Sequence, residues 1–299
     1  MIAFKTVTLC DKPWVDEIVR LENSPSADYN FGNIYIWDKR YRQLIARCGD
    51  RMLTKLRYEG RPAFVFPIGA GPLRPAVEQL RDFAAGRGYP LVIRGITPEH
   101  RVLLEKEYPD AFAFDAETDN WDYLYLAEKL ASYSGKALHG KKNHCNRFEA
   151  ENDWEFRPLS YDLIPGCLDM LDVWSEENTA RLDKSVSYEH DAIVRAFAAY
   201  EWLGLEGGVL FANGKIVGFT MGEMCSSDTF DVHFEKAKID MNGAYPMVCR
   251  ELTRMLLARH PGLVYMNRED DMGLEALRRS KQSYKPERMV EKYIARWQG

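Results

Sequence analysis

The stretch GVLFANGKIVGFTMGEMCSSDTFDVHFEK (Gly208–Lys236) decides the fold of this 299-residue chain. Asn213-Gly214, set between two β-rich runs, is its strongest short hairpin signal, because both central residues of such a turn need positive φ. It predicts strands over Gly208–Ala212 and Lys215–Glu223, with Thr229–Glu235 as the next strand of the same meander.

Outward from the meander, the pattern predicts a helix over Ala244–Arg259 and a short strand over Leu263–Met266. A helix over Met272–Lys281 and a long last strand over Glu287–Trp297 follow. Before the meander stand a strand at Trp154–Pro158 and helices at Tyr161–Glu177 and Tyr188–Trp202. The first half has the same order. A strand over Ile2–Leu9 and two helices, to Glu22 and over Asn30–Arg40, precede β-rich runs at Gln43–Cys48, Met52–Tyr58 and Pro62–Ile68. A helix over Pro72–Ala85, a strand at Leu91–Arg94, a helix at Pro98–Glu107 and closing strands at Ala111–Asp115 and Trp121–Leu126 complete it. This recurrence of element order predicts an α/β chain with mixed sheets in two similar domains, 1–133 and 134–299, the second including the basic segment 134–152. One large α+β domain is the alternative, since meanders and helices are common.

Apolar residues make up 46% of the chain and charged residues 28%, which is globular rather than disordered composition. The formal net charge of −5 excludes a protein that coats nucleic acid along its whole surface, yet leaves room for a local basic patch. No two of the six cysteines form a C-x-x-C pair, which excludes a zinc ribbon or thioredoxin-like motif and fits a reducing compartment. The first residues lack a basic region followed by an apolar one, and no run of about 18 uncharged apolar residues occurs. A cytoplasmic protein is expected, with no transmembrane segment.

Three segments carry candidate chemistry. Gly135–Phe148 contains no acidic residue, and on a helix Lys136, His139, Asn143 and Arg147 fall in one stripe opposite Leu138, Cys145 and Phe148. Such a helix packs by its apolar face and offers cationic and amide donors, suited to phosphate or carboxylate groups. A solvated charged face is the plain alternative. In the strand reading DVHFEK, alternation puts Asp231, His233 and Glu235 on one face and Val232, Phe234 and Lys236 on the other. His233 is then a candidate general base and Glu235 an orienting carboxylate, or all three belong to an ordinary polar face. One His and two carboxylates at that spacing match no strong metal pattern, so no metal is expected. The loop NREDD (Asn267–Asp271) follows a short strand, where ligands of α/β folds gather; Asp270 or Asp271 also suits a helix cap. The sequence has no nucleophile elbow, Walker A loop or G-x-G-x-x-G.

SGKALHGKKNHCNRF (Ser134–Phe148), HFEKA (His233–Ala237) and NREDDMGLEALRRSKQSYKPERMVEKY (Asn267–Tyr293) resemble the phosphatidylglycerol lysyltransferase C-terminal domain family and, more distantly, the Fem aminoacyltransferases. The resemblance covers nearly the whole chain. It implies two tandem GNAT-like domains and transfer of an aminoacyl or acyl group to an amine or hydroxyl acceptor. The acceptor would be a small molecule, peptide or lipid head group. It implies aminoacyl-tRNA or acyl-CoA as donor, with no metal or covalently bound cofactor. By motif position, His233 and Glu235 would be catalytic. Lys136, Lys141, Lys142, Asn146, Arg147, Lys236, Asn267, Arg268, Asp271 and Lys281 would bind substrates. Two departures stand out. Membrane lysyltransferases carry a long transmembrane region that this chain lacks. The GNAT pyrophosphate loop is replaced by Asp240-Met-Asn-Gly243-Ala-Tyr245, which disfavours acetyl-CoA. A CoA-dependent N-acyltransferase and a non-catalytic binding protein with this fold are the rival readings.

Overall fold

The structure, a computed structural model, describes residues 2–178 and 185–299. Its strands are β1 (Lys5–Thr6), β2 (Leu44–Cys48), β3 (Arg51–Tyr58), β4 (Arg61–Val65), β5 (Val92–Ile96), β6 (Phe112–Ala116) and β7 (Asp122–Leu126). They continue with β8 (Trp154–Pro158), β9 (Glu206–Ala212), β10 (Lys215–Met224), β11 (Thr229–Ala237), β12 (Tyr265–Asn267), β13 (Arg288–Val290) and β14 (Tyr293–Trp297).

Two sheets result, ordered β1-β2-β3-β4-β5-β14-β6 and β8-β9-β10-β11-β12-β7-β13. Each begins with an antiparallel meander and adds a parallel fifth strand, β4 to β5 and β11 to β12. The sixth strand of each, antiparallel to the fifth, comes from the other half of the sequence. The chain therefore divides into one unit of Met1–Asp122, Asp270–Gly273 and Met289–Gly299, and a second of Tyr123–Glu269 and Leu274–Arg288.

Those units differ from the expected 1–133 and 134–299. Residues 123–133 belong with the second unit, and the single last strand expected over Glu287–Trp297 is two strands in two sheets. The break falls at Lys292. Its ammonium is buried between Asp122 Oδ1 at 2.7 Å and Asp28 Oδ2 at 3.1 Å, while its carbonyl accepts from Trp121 Nε1 and the Glu117 amide. A buried lysine needs paired carboxylates, and those partners all lie in the first unit. Burial alone would lower the Lys292 pKa, but Asp122 and Asp28 raise it well above the usual lysine range.

In the second unit, Asn213 and Gly214 have φ of 52° and 75°, as a tight hairpin requires. The helix Ala244–Arg259 buries Met247, Val248, Leu252 and Leu256. A Cβ on Gly218 would collide with Val248, so this helix lies against the Gly218 face of β10. Phe219 points to the opposite face, where its ring meets Phe197 of the helix Ser185–Ala198 at 5.2 Å.

Candidate functional site

β11 and β12 are paired only over Thr229–Asp231 and Tyr265–Asn267. β12 then ends, whereas β11 runs on to Ala237. The parting of two parallel strands leaves a place for polar side chains beyond the end of β12. In the first unit the matching place, after β4 and β5, is packed shut. Phe66 stacks on His100 at 3.9 Å, and His100 bonds Glu22 at 2.6 Å and the buried Tyr29 hydroxyl at 3.1 Å.

Register decides which residues meet at the parting. Met221 pairs with Phe234 and Gly222 with Val232, so His233 is an extra residue, a β-bulge in β11. Thr220 lies opposite Glu235 and Glu223 opposite Asp231. Cross-strand partners share a face, and Thr220 and Glu223 stand three apart on β10, so Glu235 faces away from Asp231. The expected single face of Asp231, His233 and Glu235 is corrected: the inserted residue reverses the alternation beyond it. Two clusters form instead of one.

The first cluster surrounds Glu235. Arg268 Nη2 donates to Glu235 Oε1 at 2.7 Å. The Arg268 guanidinium carbon lies 4.4 Å from the Tyr284 ring centroid and 5.7 Å from that of Tyr125. Lys141 Nζ lies 3.7 Å from the Tyr284 centroid, so two cations flank one ring. Lys281 donates to the Arg268 carbonyl, and the Tyr125 hydroxyl to the Lys281 carbonyl at 2.9 Å. Burial pushes the Glu235 carboxyl above its usual range, against the opposing pull of Arg268, Lys141 and Lys281. Burial and then the neighbouring Arg268 push the Lys141 ammonium down. Burial likewise pushes the nearby Cys249 thiol up to about 11, which leaves it a poor nucleophile.

The second cluster surrounds His233, whose side chain is fully buried. Nε2 lies 3.1 Å from Glu223, and Nδ1 lies 3.3 Å from Glu269 and 3.5 Å from Asp231. Burial alone would lower the His233 pKa, but the three carboxylates, Asp231 foremost, hold it well above the ordinary value. An imidazolium that donates from both nitrogens has no lone pair with which to take a proton. The ligand atoms of Asp231, His233 and Glu269 lie within 4.8 Å of one another; among the described residues this is the group with metal-ligand chemistry. A metal ion there would have to displace the Nδ1 proton. Asn267 is buried beside this cluster, and its Oδ1 accepts from the Glu269 amide at 2.7 Å.

The remaining expected residues lie elsewhere. Lys236 Nζ bonds Glu189 at 2.7 Å and sits 3.9 Å from the Trp174 ring centroid. Asp271 belongs to the first unit, where its Oδ1 accepts from the Gly273 amide at 2.9 Å; the helix begins later, at Glu275, so the aspartate closes a turn rather than capping it. Lys136, Lys142, Asn146 and Arg147 are exposed on a 3-10 turn and the helix His139–Glu151, whose buried residues are Cys145 and Phe148. Of that basic segment Lys141 alone joins Glu235, Arg268 and Lys281. Sequence reasoning missed Glu223 and Tyr125, because partners contributed by a neighbouring strand carry no local signal, and it gave no role to Glu269, although that residue lies in the loop Asn267–Asp271.

The same helix covers the place of the GNAT pyrophosphate loop. Gly243, at φ 91°, precedes the helix Ala244–Arg259, and a Cβ there would collide with the His144 carbonyl oxygen. His144 Nδ1 also lies 2.7 Å from Asn242 Oδ1. A carbonyl oxygen against that helix start opposes a phosphate in the same position. No helix of the described residues is long and apolar enough to cross a membrane.

Residues 20–296 match the family model described as "Phosphatidylglycerol lysyltransferase, C-terminal". A conserved protein of unknown function from Bacteroides thetaiotaomicron is 33% identical over all of both chains, with a TM-score of 0.94. L-PGS from Bacillus licheniformis is 17% identical, covering 89% of this chain and 86% of its own, with a TM-score of 0.61. FemX is 10% identical, covering 98% and 96%, with a TM-score of 0.63. The fold is that of tandem GNAT-like domains.

Proposed function

The chain belongs to the phosphatidylglycerol lysyltransferase C-terminal family, and on that premise we propose that it is an aminoacyltransferase with an aminoacyl-tRNA donor and an amine or hydroxyl acceptor. Family and fold support aminoacyl transfer; the donor and acceptor are this reading's own. The observation that carries it is the Glu235–Arg268 pair where β11 and β12 part.

Aminoacyl transfer breaks the ester bond to the tRNA ribose, forms a new bond to the acceptor and moves one proton from the acceptor to the leaving hydroxyl. Glu235 takes that proton. A carboxyl raised by burial suits such transfer near neutral pH better than an exposed one. Arg268 fixes its orientation. His233, already protonated, holds Glu223, Asp231 and Glu269 in place on the other face of β11, and the acceptor approaches from the Glu235 side of the strand ends. Exposed Lys136, Lys142, Asn146 and Arg147 contact donor phosphates, which predicts salt-dependent binding with little sequence selectivity.

The blocked helix start at Gly243 favours tRNA over CoA as donor. Calorimetric titration with charged tRNA and with acetyl-CoA tests this. Saturable tRNA binding is expected, weakened about tenfold in Lys142→Glu/Arg147→Glu, without CoA binding. CoA binding without tRNA binding would overturn the donor assignment.

A further inference from the structure

Lys141 and Arg268 share the Tyr284 ring, and each carries a donor that no oxygen meets among the described residues. Arg268 gives Nη2 to Glu235, yet its buried Nη1 meets no hydrogen-bond acceptor among the described residues. Lys141 Nζ contacts the ring face at 3.7 Å, and no acceptor oxygen bonds it among the described residues. Both cations lie in the second unit, and Lys141 is half-buried, so the pair has a solvent side. Glu235 is committed to Arg268, which neutralises that charge and leaves the lysine as the excess.

We propose that Lys141 and Arg268 form a binding site for one phosphate-type oxyanion at the edge of Tyr284. The flexible lysine stem lets its ammonium leave the ring face and present an anion to Nη1. Two charge-assisted donors from different elements then grip one tetrahedral group. The easing of repulsion between the cations agrees with the direction in which Arg268 already shifts Lys141. The site rests on the aminoacyltransferase reading for its role, since both the nucleotide end of a tRNA donor and a phosphorylated acceptor carry this group. It does not rest on that reading for its existence.

The test is isothermal titration of the full chain, without turnover, using inorganic phosphate, AMP, glycerol 1-phosphate and, as control, acetate. Phosphate is expected to bind saturably and more tightly than acetate. Lys141→Gln should weaken it about tenfold or more, the loss of one charged hydrogen bond, while Lys141→Arg keeps it. Tighter binding of AMP assigns the site to the donor, and tighter binding of glycerol 1-phosphate assigns it to the acceptor; either supports the proposal. No titration by phosphate or either ester, or wild-type binding by Lys141→Gln, overturns it. Phosphate binding in a protein that transfers nothing would sink the transferase reading alone.

Discussion

The carboxylate of Glu235 lies out of water and is held there by the 2.7 Å bond from Arg268. Removing one member of such a pair strands the other, whereas removing both does not. Arg268→Ala is therefore expected to cost about 3 kcal/mol in urea unfolding, the low end for a buried pair because 13% of the arginine side chain remains exposed. Arg268→Met/Glu235→Leu should recover most of that loss and remain inactive; a double variant as unstable as the single would refute the pairing argument. His233 makes a separate prediction. Its folded pKa lies above the unfolded value, so its contribution to stability is complete below about pH 6.5 and is lost as pH rises through the folded pKa. The melting-temperature gap between wild type and His233→Gln should be widest at acid pH and narrow as the solution turns alkaline. A gap that widens with pH would show that the imidazole is buried neutral.

Elements explain why some of this was legible and some was not. The basic helix was readable because one face of thirteen residues needs only period and charge, and Cys145 and Phe148 are indeed its buried residues. The meander was readable because Asn213-Gly214 dictates its turn. The faces of β11 were not, since a one-residue bulge at His233 leaves no mark in the alternation that it reverses. Arg268 was visible as a loop residue after a strand, but its bond to Glu235 depended on that hidden bulge. Helix against helix start, Gly243 offers a check. Gly243→Ala meets both a positive φ and the His144 carbonyl, whereas Gly60→Ala meets only a positive φ of 77° with open space around it. The second should cost about 1 kcal/mol and the first at least twice as much by thermal denaturation. Equal costs would mean that the helix His139–Glu151 does not seal that site.

Over the whole molecule the chain is a doubled unit in which each copy lends its sixth strand to the other. β14 lies between β5 and β6, and β7 lies between β12 and β13. Sequence patterns locate strands but say nothing about which sheet receives them, so the halves looked separable. They are not. A fragment of residues 1–133 lacks β14 and leaves β5 and β6 with unpaired edges. It is expected to show no cooperative unfolding transition by circular dichroism, and a sharp one would contradict the exchange. The exchange also fixes the site, because β7 flanks β12 and supplies Tyr125 beneath Arg268. The most direct measurement is mass-spectrometric detection of an aminoacylated product after mixing purified protein with charged tRNA and candidate acceptors. Wild type should form a tRNA-dependent product, and Glu235→Gln should form at least about 100-fold less while still binding tRNA. Product formed equally by Glu235→Gln would contradict the account.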